Sequence, residues 1–132
     1  MANLSKSKYI TYCQCPKALW LKQYKSEEMV IDPLTQARFD AGTEVGELAK
    51  RLFGDFVEAT TYKTAVDGTQ RLDLGAMAAA TQKALAEGAE NIAEAAFIYD
   101  GCYCAVDLLH KTPHGYAIYE VKSSTNLNEL EV

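Results

Sequence analysis

The stretch Asn91-Ile-Ala-Glu-Ala-Ala-Phe-Ile-Tyr99-Asp100-Gly101-Cys102-Tyr-Cys-Ala-Val-Asp-Leu-Leu-His110 decides the fold. Two runs rich in Ile, Val, Phe, Tyr and Leu flank an Asp-Gly pair, the strongest short-range signal for a two-residue β-hairpin. Thr112-Pro-His-Gly115 then predicts a second turn, with proline at its second position, leading into a third strand from Tyr116 to Ser123. A two-residue hairpin fixes register. With Tyr99 opposite Cys102, Glu94 falls opposite Asp107. With Thr112 opposite Gly115, Asp107 falls opposite Glu120. Paired residues share a face, so the three acids are expected in one row across the meander, with Lys122 on the same face as Glu120.

Such a row is costly. Two carboxylates about 5 Å apart repel by roughly 3 kcal/mol at an effective dielectric of 20. Protonation of one member, exposure to solvent, or a bound divalent cation would each relieve it, and hard oxygen ligands suit Mg2+ or Mn2+. A lone acid on a strand is usually surface; three in register beside a lysine point to a metal site. The chemistry that fits is phosphodiester hydrolysis, with the lysine orienting the attacking water or stabilising the phosphorane-like transition state. The plain alternative for Lys122 is a cross-strand ion pair of little worth.

Upstream of the meander the pattern is helical. Ser5 or Ser7 can cap a first helix, and Pro16 suits the first turn of a second through Ala18-Leu-Trp-Leu-Lys22. Glu27 to Pro33 reads as a connector. Thr35 is expected to cap a long helix that ends at Gly54, and Phe56-Val-Glu-Ala59 to form a short strand. Residues 60–72 read as loop. Asp73 caps an alanine-rich helix from Leu74 to Glu87, stopped by Gly88. Helices followed by a three-stranded meander give an α/β (α+β) fold in a single domain, 1–132, with a basic helical segment over 1–33 and the remainder over 34–132.

The 132 residues carry a net charge of −5, are 48% hydrophobic and 10% aromatic, too apolar for a disordered segment. No apolar run reaches the roughly 20 residues a membrane span needs, and MANLSKSKYI lacks a signal peptide's apolar block. The expectation is a cytoplasmic protein with no membrane partner. The acidic average hides a split: Lys6, Lys8, Lys17, Lys22 and Lys25 stand without a single acid in the first 26 residues, as in a basic arm for a polyanion. Cys13/Cys15 and Cys102/Cys104 are spaced too tightly for an ordinary structural zinc site, and a reducing compartment disfavours disulfides. Cys102 and Cys104 are expected in the core, as is Trp20.

Asp107 followed thirteen residues later by Glu120-Val121-Lys122 resembles the D…(D/E)-x-K core of the PD-(D/E)XK nuclease superfamily. Tyr119-Glu-Val-Lys-Ser-Ser-Thr125 resembles its RecB-like branch, which includes the CRISPR-associated RecB-type exonucleases. Leu4-Ser-Lys-Ser-Lys-Tyr9, Cys15-Pro-Lys-Ala-Leu-Trp-Leu21 and Phe39-Asp-Ala-Gly42-Thr-Glu-Val-Gly46-Glu-Leu-Ala49 are similar to a related bacterial family of that branch. The resemblance implies a restriction-endonuclease-like core acting on single- or double-stranded DNA with Mg2+ or Mn2+. It implies Asp107, Glu120 and the Val121 main-chain carbonyl as metal ligands, Glu94 as a further candidate, and Lys122 serving the attacking water. Glu44 or Glu47 would add an acid from the long helix, and Lys6, Lys8, Lys17 and Lys22 would hold the phosphate backbone, with Tyr9 or Trp20 stacking on a base.

The chain departs from that pattern in three ways. Gly46 stands where the branch often has a histidine ligand, and neither His110 nor His114 replaces it. The helix and strand that follow the lysine strand in the family are expected to be missing, as in an amino-terminal fragment. Cys15, or Cys13, matches the first ligand of the iron–sulfur members, whose other three would lie in a longer chain, so no iron–sulfur cluster is expected. The alternative is a catalytically incomplete nucleic-acid- or protein-binding module, and a homodimer would cover the exposed sheet edge.

Overall fold

Asp100 and Gly101 both take positive φ, 46° and 73°, and so form the two-residue turn whose twist matches that of its flanking strands. The computed structural model describes residues 4–124. In it, β5 (Asn91–Tyr99) and β6 (Cys102–Thr112) pair antiparallel from Tyr99↔Cys102 to Asn91↔His110, and β7 (Gly115–Tyr119) continues the meander from Thr112↔Gly115 to Leu108↔Tyr119. Both registers are those expected from the turns. The third strand is shorter than expected: it ends at Tyr119, and Glu120 to Ser124 follow without regular structure.

Two short strands complete the sheet in parallel. β2 (Val57–Glu58) lies along β5, and β1 (Leu4–Ser5) lies along β6, with Leu4 opposite Cys102 and Ser5 opposite Tyr103. Because β7 also pairs with β6, β1 and β7 share one edge of that strand, one at each end. The fold is α+β.

Among the described residues four α-helices accompany the sheet. The first, α1 (Lys6–Gln14), is capped by the Ser5 hydroxyl, and α2 (Pro16–Tyr24) carries proline in its first turn. Asp32 caps α3 (Pro33–Ala49), not Thr35: its carboxylate accepts both the Thr35 N–H and the Thr35 hydroxyl at 2.9 Å. Helical bonding stops at Ala49, and tighter turns lead to Gly54 at φ +95°. Asp73 caps α4 (Leu74–Ala86), and Gly88, at φ +74°, ends it as expected.

Residues 60–72 are not a loop. They form a small hairpin, β3 (Tyr62–Thr64) with β4 (Gln70–Leu72), whose turn holds Asp67-Gly68. Asp67 accepts both the Thr69 N–H and its hydroxyl, closing the turn locally. The apolar content was low because both faces of this ribbon are largely exposed.

The core lies between α4 and the sheet. Ile92, Ala95, Val106 and Leu109 join Ala84 and Ala59 in one buried cluster, and alanines on both helix and strand leave room for close approach. Met77, Ile92, Leu108 and Thr81 are the largest fully buried side chains. The Thr81 hydroxyl donates to the Met77 carbonyl and accepts the Ala96 N–H at 2.8 Å, so it serves a strand amide beyond the short β2. The expected core positions in the amino-terminal half and at the first hairpin turn do not hold. Trp20 is 52% exposed and touches Tyr24, Cys102 is exposed, and Cys104 is only half-buried. Among the described residues α2 packs mainly on α1 and the turn after it, which leaves the indole half open to solvent. No helix among the described residues is long and apolar enough to cross a membrane.

Candidate functional site

Strand alternation fails at one level of the sheet, and that level carries the acids. Ile92 and Ala95 are three residues apart yet enter the same cluster, as do Val106 and Leu109 opposite them. Strict alternation would send each pair to opposite faces. Between them stand Glu94 and Asp107, whose rung is missing from an otherwise continuous ladder. Glu94 takes φ +55°, a left-handed conformation that costs a residue with a side chain on the order of 1 kcal/mol. Backbone strain of this kind concentrates at functional positions.

Glu94 and Asp107 line one cavity of about 430 Å3 beneath α3, together with Arg38, Gly42, Glu47, Lys50 and Val121. Burial raises the Glu94 pKa above the ordinary glutamate range, and the facing Asp107 carboxylate raises it further, against the opposing pull of Lys50. Asp107 accepts the Val121 N–H at 2.6 Å, which ties the Glu120-Val121-Lys122 segment to the middle of β6. The expected row of three acids is therefore not formed: the ladder ends at Leu108↔Tyr119, one rung short of Asp107 and Glu120, and Asp107 meets the E-x-K stretch through the Val121 N–H instead.

Glu120 and Lys122 stand apart from the cavity lining. The Glu120 carboxylate binds Lys6 at 2.6 Å and Lys122 at 3.1 Å. Burial pushes its pKa up, but these two ammonium groups outweigh it and hold the carboxyl below its ordinary range. Glu47 lines the cavity; Glu44 is exposed on α3 and does not. Gly46 also faces the cavity, and a Cβ there would meet nothing within 4 Å. Lys17 and Lys22 are exposed and Lys8 half-buried on the first two helices, while Cys13 and Cys15 are exposed where those helices meet.

Sequence reasoning missed Lys50 and Arg38. The Lys50 side chain is 12% exposed, and its ammonium lies 2.7 Å from Glu47 and 2.8 Å from Glu58 of β2. Burial disfavours its charge, yet the hydrogen bonds to Glu47 and Glu58 prevail and push its pKa up to about 12. It therefore fixes the end of α3 against the sheet and presents a permanent positive charge to the acids. The Glu47–Lys50 spacing is readable as a helical ion pair; the partnership with Glu58 is not. Asn91 secures the same junction. Its amide donates to the carbonyls of Phe53 and Asp55, its oxygen meets His110 at 2.7 Å, and Phe53 stacks on the His110 ring at 3.9 Å.

The donor chemistry at Glu94 and Asp107 fits a hard divalent cation. Two facing carboxylates, one with its pKa raised by burial and by the charge of the other, favour a positive charge between them, and Mg2+ commonly takes one or two carboxylates with phosphate and solvent oxygens completing its shell. Among the described residues no group of three such side chains converges, consistent with Glu120 being engaged by Lys6 and Lys122. No family model, no curated protein and no solved structure matches this chain.

Proposed function

We propose that the chain is a divalent-metal-dependent DNA nuclease domain of the PD-(D/E)XK, RecB-like kind, hydrolysing phosphodiester bonds in the cytoplasm. The single observation that carries the reading is the Asp107–Val121 hydrogen bond, which joins the aspartate to the E-x-K segment beside Glu94. Asp107 and Glu94 would hold Mg2+ or Mn2+, with the Val121 carbonyl and Glu120 as the further ligands the motif implies. When bound, the cation polarises the phosphoryl oxygen and lowers the pKa of the attacking water. Lys122, here paired with Glu120, would turn to the cavity to orient that water, and Lys50 and Arg38 would meet the negative charge of the scissile phosphate from the α3 side. The lysines of α1 and α2 draw the phosphate backbone toward the cavity.

A second reading has its own support. Lys6 and Lys122 both occupy Glu120, as expected for a catalytically incomplete module that binds nucleic acid or a protein partner without cutting. Incubating linear single- and double-stranded DNA with the chain and Mg2+ or Mn2+ separates the two. The nuclease reading expects cleavage that falls at least a hundredfold in Asp107→Ala and Lys122→Ala. Cleavage surviving in both variants refutes these sites, and salt-sensitive binding without cleavage favours the module.

A further inference from the structure

A second cavity lies on the far half of the hairpin, away from the acids. Phe97 and Tyr99 are two residues apart on β5 and face Cys104 and Cys102 across β6; Leu4 of β1 stands beside Cys102. These five side chains floor a groove of about 350 Å3, and α1 walls it with Tyr9 and Lys6. Its aromatic groups are open to solvent: Tyr99 is 85% and Tyr9 57% exposed. No acid lines it. Lys6 and Lys8 occupy the first turn of α1, where the amide ends of the helix add partial positive charge; that turn holds no acid of its own, and Lys6 pairs with Glu120 from outside it.

We propose that this groove is a binding site for one nucleobase of a single-stranded nucleic acid, with the adjoining phosphate at Lys6. The inference rests on the reading of the chain as a nucleic-acid enzyme, and it adds a site outside the cleavage cavity. Aromatic residues two apart on one strand, about 7 Å along the backbone, offer a stacking surface of the kind sheets present to unpaired bases. Stacking tolerates any base, whereas a duplex keeps its bases stacked on each other and away from such a floor. The two lysines at the lip, with no acid among the lining residues, favour a polyanion over an apolar peptide or a lipid chain. Lys6 now spans from this lip to Glu120, so a phosphate at Lys6 competes directly with that ion pair.

The test is fluorescence anisotropy of a labelled dodecathymidylate with the full chain in EDTA, where no cleavage contributes. An abasic strand of equal length serves as control. Tight binding of the thymidylate, weaker binding of the abasic strand, and a loss of roughly 5- to 100-fold in Tyr99→Ala and Tyr9→Ala support the site. Equal affinity for both strands, or an unchanged Tyr99→Ala, overturns it. So does a dimer that Tyr99→Ala splits into monomers, since a second copy would then fill the groove. If thymidylate binds as expected but wild-type chain cuts nothing, the groove stands and the nuclease reading falls. Cleavage with no stacking preference does the reverse.

Discussion

The two halves of the molecule are built on opposite terms. From Val57 onward, an alanine-rich helix lies on a meander, and ten apolar side chains of that half are buried. In α1, α2 and α3 not one residue is buried, although Trp20, Leu48, Leu34 and Phe39 sit along them. The difference teaches where stability resides and where chemistry is presented. The sheet half holds itself together and carries Glu94 and Asp107. The helical half brings charge to it: Lys50 and Arg38 from α3, Lys6 from α1. Little of its apolar surface is buried, and its attachment runs through the pairing of β1 with β6, the Phe53–His110 stack, and polar contacts at Lys6–Glu120, Lys50–Glu58 and Asn91.

The largest effect that would break this contrast is in the core. Ile92→Ala should cost about 2–5 kcal/mol in a urea titration, while Leu48→Ala should stay within about 0.5 kcal/mol. Similar losses for both would mean that α3 shares the core after all. Next comes the seam between α4 and β5. Thr81→Val keeps the shape but strands the Ala96 N–H and is expected to cost roughly 1–3 kcal/mol, with faster amide exchange at Ala96 as the local signature. A variant as stable as wild type would show that the amide finds another partner.

The smallest effect is a pH dependence, and it sharpens the comparison at the acid pair. Glu94 holds its proton more tightly in the folded chain than in the unfolded one, where its pKa is near 4.5. Its stabilising share is complete below that value and is lost as pH rises through the raised folded value. Glu94→Gln should therefore remove a decline in thermal midpoint on the alkaline side of 4.5. Glu58 and Glu120, both held below their ordinary range, act oppositely and lose their contribution as pH falls. If wild type and Glu94→Gln give parallel profiles, neither burial nor the Asp107 charge raises the Glu94 pKa in the folded chain.

Much of the architecture was legible because it is written in local signals. Asp100-Gly101 and Thr112-Pro-His-Gly115 set both registers, and Asp73 with Gly88 bracketed α4. Asp67-Gly68 carried the same hairpin signal and was overlooked because its flanking residues are polar. The end of β7 was misread because Val121, though β-prone, gives its N–H to the Asp107 side chain instead of a strand. That Glu94 and Asp107 fall at one level of the hairpin is readable from register; the missing rung between them and the left-handed backbone of Glu94 are not, since nothing about glutamate announces either. Lys50 and the parallel β1 were hidden for a common reason. Each depends on a partner brought close only by the tertiary fold, Glu58 for the one and Cys102 for the other. Trp20 misled because an apolar run marks a core only where a second layer exists to cover it.

The pairing of Leu4 with Cys102 also sets a clock. Every contact of β1 with the sheet spans nearly the whole described chain, whereas the meander and α4 close over short loops. At about 5–20 residues per second, a nascent chain emits Leu4 many seconds before its partner strand exists. The sheet half is thus expected to assemble first, and the basic arm to dock last. Lys6 reaches Glu120 only at that final step, so the charge around the acids is set by the oldest part of the chain arriving latest.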